Sequence, residues 1–300
     1  MAQSQLSPDT AHAGNGASRF GRSAGDRGAP RGPYAALDLG TNNCRLLVAR
    51  PSADGFRVID AFSRVVRLGE GLSHCGRLSE AAIERTIEAL RVCRDKMAAR
   101  GVMRARLIAT EACRAAENGV EFLERVRERL DLKLEIVDRE TEATLAVAGC
   151  SELADREAQS ILLFDIGGGS SEIIWLDRSA GGRFHLLGTS GTVTTIAGVH
   201  LDLKRYDRNR VDGCWMSEQE ITAVIERLLA MSYQERVASP CIGAERADLV
   251  LAGCAILEAI RRAFPCPRLR VADRGLREGI LVEMMRDDGV WGGGNQVAAS

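Results

Sequence analysis

Asp38 and Asp165 each sit near the end of an apolar run and just before a glycine turn. The first run is Tyr34-Ala35-Ala36-Leu37-Asp38-Leu39-Gly40-Thr41-Asn42-Asn43. The second is Ile161-Leu162-Leu163-Phe164-Asp165-Ile166-Gly167-Gly168-Gly169-Ser170-Ser171-Glu172. Glycine lets backbone N–H groups come close to an anion, and successive N–H groups in a turn form an anion-binding hollow. A carboxylate at the strand end can hold Mg²⁺ or orient water beside that anion. One such turn is a weak signal, because strand–Asp–Gly turns are common in β structure. Two copies, each opening a similar segment, point to a duplicated domain with a phosphate held between the halves.

Composition narrows the field. The 300 residues suffice for one large or two ordinary domains, and the 45% hydrophobic and 27% charged content is that of a globular protein. A formal net charge of −1 gives no general pull toward nucleic acid or membrane, and neither is expected as a partner. Lysine occurs at 96, 133 and 204 only, so cationic work falls to arginine, and no Gly-Lys-Ser/Thr phosphate loop exists. The nine cysteines are scattered without a Cys-x-x-Cys pair, which reads as reduced core thiols in a cytoplasmic protein rather than a zinc site.

The elements that must position these residues follow in two rounds. Residues 1–32 are rich in Ala, Gly, Ser, Arg and Asp and are expected to be a disordered tail without a secretory signal. After each glycine turn a second strand is expected, over 45–49 and 173–176. Further strands are expected over 57–59, 63–68, 106–109, 133–137, 184–188 and 269–271. Helical spacing of Ile83, Ile87, Leu90 and Met97 predicts a helix capped by Ser79. Helices are also predicted over 117–130 and 140–154, after Ser190-Gly191-Thr192, over 246–262 and 276–285, and behind the Ser217/Glu220 capping box as far as Met231. Strands then helices, twice over, fit two α/β domains with a cleft between them: 33–143 with the first phosphate motif and 144–300 with the second. The last residues are free to pack back on the first domain.

On these segments the chain resembles the exopolyphosphatase / guanosine pentaphosphate phosphohydrolase family of the actin/Hsp70/sugar-kinase superfamily. Residues 34–45 and 162–172 resemble its two phosphate motifs. Ala109-Thr110-Glu111-Ala112-Cys113-Arg114, Glu135–Leu145, Gly188-Thr189-Ser190-Gly191-Thr192 and Val271–Gly279 resemble further motifs, and the likeness spans roughly 34–285. It implies two RNase H-like (actin-like ATPase) domains of the short form, and hydrolysis of terminal phosphate from polyphosphate or guanosine pentaphosphate with Mg²⁺ or Mn²⁺. It also implies a homodimer. By the same resemblance Glu142 is the water-activating base, Asp165 and Glu172 are catalytic, and Asp38, Asp165 and Glu172 hold metal. Gly40, Thr41, Asn42, Asn43, Gly167, Gly168, Gly169, Ser170 and Arg114 bind phosphate. Read from the residues alone, Glu142 equally suits a first-turn acid favoured by the helix dipole, and Arg114 an ion pair with Glu111 or Glu117. Where the family usually has Gly-x-Glu-Glu-Ala-Arg, this chain has Arg139-Glu140-Thr141-Glu142-Ala143-Thr144, so the neighbouring acid and the following Arg are absent.

One dense basic stretch, Lys204–Arg210, reads either as a track for a long polyanion or as a solvated loop. Arg64, Arg67 and the cluster at 268–277 pose the same question, and Arg67 is carried forward as a phosphate-binding candidate. Two other readings compete with a hydrolase. An ATP-dependent kinase or chaperone-type ATPase is disfavoured because a Glu stands where a hydrolase needs its base. A non-catalytic sensor of guanosine tetra- or pentaphosphate is disfavoured by the complete Glu142, Asp165 and Glu172 set.

Overall fold

The computed structural model describes residues 32–53, 55–155, 157–177 and 184–291. The tail expected over 1–32 lies, but for Gly32, outside the described residues. Two five-stranded mixed sheets form the frame. The first holds β1 (Tyr34–Leu39), β2 (Asn43–Ser52), β3 (Gly55–Val65), β4 (Arg104–Ala109) and β5 (Glu135–Ile136), in the order β3-β2-β1-β4-β5. The second holds β6 (Ser160–Ile166), β7 (Ser171–Asp177), β8 (Phe184–Thr189), β9 (Trp215–Ser217) and β10 (Arg268–Val271), in the order β7-β6-β8-β10-β9. β1 and β6 correspond. Each pairs antiparallel with the strand after its glycine turn and parallel with the next crossover strand, β4 or β8. The repeat is incomplete. β3 covers the outer edge of β2, but among the described residues no strand covers the outer edge of β7.

The helices are α1 (Leu72–Cys75), α2 (Glu80–Ala99), α3 (Glu111–Ala115), α4 (Gly119–Leu130), α5 (Arg139–Cys150), α6 (Ser190–His200), α7 (Arg208–Val211), α8 (Glu218–Ala230), α9 (Tyr233–Ala238), α10 (Val250–Ala263) and α11 (Leu276–Asp287). Ser79 caps α2 by accepting from the Ala82 N–H, and Ser217 with Glu220 forms the expected capping box on α8. Several boundaries differ from expectation. The strands expected over 57–59 and 63–68 are one strand, β3, which pairs with β2 across a bulge at Val48/Ala49. Its burial is irregular, so the pattern breaks where the ladder continues. The strand expected over 133–137 shrinks to two residues at the sheet edge. The helix expected from 117 starts at Gly119, behind the short α3, and that expected from 246 starts at Val250.

α2 and α4 cover one face of the first sheet through Ile83, Ile87, Leu90, Phe122 and Val126. α6, α8 and α10 cover one face of the second through Val193, Ile196, Ile221, Leu228 and Leu257. Two helices join the halves. α5 gives Leu145 to the core of the first sheet and Ala146 and Cys150 to that of the second. α11 lays Ile280, Leu281, Met284 and Met285 against Tyr34, Ala36 and Leu47 of the first sheet. α5 and α11 cross at glycines: a Cβ on Gly279 would lie 1.8 Å from the Leu145 carbonyl oxygen, and one on Gly149 1.9 Å from that of Gly275. Neither obstacle is a flexible side chain, so the helices must part to admit a methyl. Gly279→Ala is therefore expected to destabilise by about 1–3 kcal/mol, lowering Tm by roughly 2–4 °C per kcal/mol. Thermal unfolding beside the parent chain checks this, and an unchanged Tm would mean that the crossing has slack.

Candidate active site

Both glycine turns close with the same bond. The Gly40 N–H donates to the Asn43 carbonyl at 2.9 Å, and the Gly167 N–H to that of Ser170 at 3.0 Å. Their carboxylates are placed alike: a Cβ on Gly40 would stand 3.9 Å from Asp38 Oδ1, and one on Gly167 3.8 Å from Asp165 Oδ1. The turns meet across the interdomain cleft. A Cβ on Gly168 would come within 2.7 Å of Asn42 Cβ, and one on Gly169 within 2.6 Å of Thr41 Oγ1. Here glycine is needed for close approach between the halves. The first turn is braced from behind, because the Val66 and Arg67 N–H groups donate to the Asn42 carbonyl and the Gly69 N–H to that of Thr41.

A cavity of about 480 Å³ opens between the turns. Asp38, Gly40–Asn43, Glu142, Asp165, Gly167–Ser170 and Glu172 all line it, so most sequence candidates converge. Two do not line it. Arg67 sits at a left-handed φ of 47° and turns its guanidinium to Asp248, 3.5 Å away before α10. Arg114 is held by Glu111 at 2.6 Å and the Val137 carbonyl at 2.6 Å, and reaches Glu142 at 3.2 Å. It therefore positions Glu142 in this structure, while Asp138 caps α5 from the Thr141 N–H and sets the helix that carries that carboxylate.

Three arginines that the sequence did not single out as phosphate ligands, Arg45, Arg246 and Arg277, line the same cavity, and of these only Arg277 had been raised, within the cluster at 268–277. Burial pulls the pKa of both Arg246 and Arg277 down, although guanidinium stays charged at working pH. Half-buried cations beside glycine turns are what a polyphosphate needs opposite its oxygens. Arg45 ends the first motif and Arg277 lies inside the C-terminal one, which was the available signal; Arg246 had none. Ser190, also missed, lines the cavity at a left-handed φ of 76° and helps hold the pKa of Asp165 down. That strain sits at the mouth of α6, beside the cavity.

The carboxylates crowd one another. Burial, then the nearby Glu172, raises Glu142 to about 7 against the partial relief of Arg114. Burial and Glu172 likewise raise Asp165 to about 6, and burial raises Asp38. A base with a pKa near 7 is ionised only above that pH. kcat/KM is therefore expected to rise with pH through about 7, as a pH–rate profile would show. A profile flat from pH 5 to 8 would remove Glu142 from the rate. Hard oxygen donors with unrelieved mutual repulsion suit Mg²⁺ or Mn²⁺. Among the described residues, however, no three His, Cys, Asp or Glu side chains form a ready-made metal cage. That fits an ion that keeps several waters and binds through one or two carboxylates plus substrate phosphates.

The basic stretch is divided. The Tyr206 hydroxyl donates to Asp273 at 2.8 Å, and Arg208 pairs with the buried Glu278 at 2.7 Å, locking the C-terminal motif beside the cavity. Arg205 and Arg210 are exposed. If they track a polyanion, replacing both by Ala raises KM for long polyphosphate more than for a short oligomer. It also flattens the salt slope by roughly one unit for each phosphate that an arginine no longer neutralises. Equal effects on both lengths would mark a solvated loop.

Two mixed sheets with facing Asp–Gly turns, joined by crossing helices over one cleft, define a two-domain protein of the actin-like ATPase fold. The model of the Ppx/GppA phosphatase family matches residues 47–185 and 178–288, and the chain belongs to that family. It is 24% identical over 302 residues to a Haemophilus influenzae protein named provisionally as an exopolyphosphatase, covering 84% of this chain and 91% of that one. It is 26% identical to the guanosine-5'-triphosphate,3'-diphosphate pyrophosphatase of Aeromonas salmonicida, spanning 84% of this chain but only 59% of that protein. The crystal structure of the Aquifex aeolicus Ppx/GppA member superposes with a TM-score of 0.73 at 25% identity, over 86% of this chain and 98% of that one.

Proposed function

We propose that this chain is a Mg²⁺-dependent exopolyphosphatase that releases terminal orthophosphate from inorganic polyphosphate by attack of water. The observation that carries the reading is the meeting of two glycine turns across one cavity, with Glu142 beside them and Arg45, Arg246 and Arg277 around them. Backbone N–H groups of both turns grip the phosphate oxygens, and the arginines neutralise them. Glu142 takes a proton as the water oxygen bonds to the terminal phosphorus. The bridging anhydride bond breaks, and the remaining chain leaves one phosphate shorter. One or two of Asp38, Asp165 and Glu172, with the substrate phosphates, would hold the divalent ion, which when bound neutralises charge on the phosphate oxygens.

The same machinery suits the 5′-terminal phosphate of guanosine pentaphosphate, and the name of the Aeromonas relative favours that second reading. Phosphate release from long-chain polyphosphate, guanosine pentaphosphate and ATP, side by side with Mg²⁺, Mn²⁺ or EDTA, tests both. Release from polyphosphate that EDTA abolishes is expected. A clear preference for guanosine pentaphosphate moves the assignment to the second reading. No release above background with either metal overturns both.

A further inference from the structure

We infer that Glu111 is a positioning residue for the base: through Arg114 it decides which oxygen of Glu142 faces the cavity, and that oxygen is Oε1. The inference rests on the hydrolase reading of the site. In that reaction the water oxygen bonds to phosphorus, its proton passes to Glu142 Oε1, and the bridging anhydride bond breaks. Four bonds from the Arg114 guanidinium carry the argument. Nη1 donates to the Val137 carbonyl at 2.6 Å and to Glu142 Oε2 at 3.2 Å. Nη2 donates to Glu111 Oε2 at 2.6 Å and to the same Glu142 Oε2 at 3.3 Å. Both terminal nitrogens thus converge on one oxygen of the base. Among the described residues no protein group donates to the other oxygen, Oε1.

A terminal carboxylate torsion is broad and roughly twofold, so the backbone of α5 does not by itself select an oxygen. The two charge-assisted bonds do. They stabilise negative charge on Oε2 and make it the poorer proton acceptor, which leaves Oε1 the more basic atom. The shortest contacts of Arg114 go to Glu111 and to the Val137 carbonyl, not to Glu142. Those two acceptors therefore set where the guanidinium lies, and Glu142 is reached from that fixed place. Val137 stands just before Asp138, the cap of α5, so the same arginine holds the entry to the helix that carries the base.

Glu111 opens α3, and its side chain is 19% exposed. Burial opposes its charge, but its bonds to Arg114 and Arg139 outweigh that and hold its pKa below the usual carboxylate range. Arg139 meets it from the other side at 3.1 Å but is 70% exposed, so that pair contributes little. Neither Glu111 nor Arg114 lines the cavity. Removing Glu111 thus takes no contact from a substrate bound there. It does free Arg114. An arginine left beside one carboxylate settles on it side-on, one N–H to each oxygen. That arrangement covers Oε1 and blocks the atom that must accept the proton.

Steady-state kinetics on Glu111 variants test this, with whichever of polyphosphate, guanosine pentaphosphate or ATP the parent hydrolyses fastest. Glu111→Ala is expected to lower kcat by about 10–100-fold, the scale of a small misplacement of a reacting group, with KM within about twofold of the parent. Glu111→Asp keeps the charge but draws it back by one methylene, so it is expected to fail in the same way and carries the test should the Ala variant not fold. Glu111→Gln keeps an acceptor at the same reach and is expected to restore most of kcat. In a Glu142→Gln background Glu111→Ala is expected to cost no further kcat, because both changes act through one carboxylate. A normal kcat in the Ala and Asp variants, a KM that rises in step with the loss, or losses that multiply with Glu142→Gln each overturn the inference. A parent that hydrolyses none of the three defeats the hydrolase reading on its own. Thermal unfolding of Glu111→Ala, Glu142→Ala and the double variant then decides whether the two carboxylates share Arg114: non-additive losses of Tm are expected, and additive losses overturn the coupling.

Discussion

Replacing Glu142 by Gln is expected to lower kcat on polyphosphate by about 10²–10⁴-fold while leaving substrate binding nearly intact. That range corresponds to about 2.7–5.5 kcal/mol of transition-state stabilisation. The Glu142 side chain is only 14% exposed and faces the cavity from the first turn of α5. Burial and Glu172 bring its pKa to about 7, which suits a group that must accept a proton near neutrality. Gln keeps the size and an acceptor for the Arg114 guanidinium, so the scaffold at 3.2 Å is retained while the basic oxygen is lost. Binding is read by thermal stabilisation with long-chain polyphosphate, which follows from mass action. A variant with near-normal turnover would leave Glu142 as an acid that favours the helix dipole and no more.

The two phosphate turns were readable because each is local. Asp38 and Gly40, or Asp165 and Gly167, stand two positions apart, so spacing carries the geometry. Both α/β halves were readable for the same reason, since apolar runs and caps such as Ser79 and the Ser217/Glu220 box act within one element. What spacing could not show is contact at a distance. Arg246 reaches the cavity from the loop before α10 and is anchored on the Gly191 carbonyl, 55 positions away. Arg208 looked like part of a polyanion track, yet its partner is Glu278, 70 positions on. Arg67 reads as a phosphate ligand from charge alone, but the loop that braces the first turn sends it to Asp248.

α5 and α11 tie these pieces into one device. α5 carries Glu142, and α11 begins with Arg277 and Glu278. Where they cross, Gly149 and Gly279 bring backbone against backbone. Leu145 of α5 and Ile280 of α11 both pack on the first sheet, whereas Ala146 and Cys150 pack on the second. Glu142 and the cavity-lining Arg277 thus sit on one packed helix pair.

Asp165→Asn is expected to weaken the apparent affinity for Mg²⁺ in the turnover assay by at least about 10–100-fold, the loss already seen when only a ligand's outer partners are changed. Asp165 lies one residue before the end of the buried strand β6, and its pKa is raised to about 6 because burial and Glu172 oppose its charge. A carboxylate raised in this way binds a proton that the unfolded chain has already lost. Without metal, therefore, ionising Asp165 costs stability, and the cost grows as pH rises from about 4 through about 6. Asn carries no charge to strain, so the metal-free variant is expected to lose less Tm than the parent over that window. The parent should regain Tm on adding Mg²⁺ at pH 8, and the variant should regain less. These two readouts separate a metal ligand from a packing residue, since a lost hydrogen bond alone would lower Tm at every pH and leave the Mg²⁺ response unchanged. An unaltered metal titration in turnover, together with an unaltered Mg²⁺ shift in Tm, would remove Asp165 from the metal site and leave it as an anchor for Ser190.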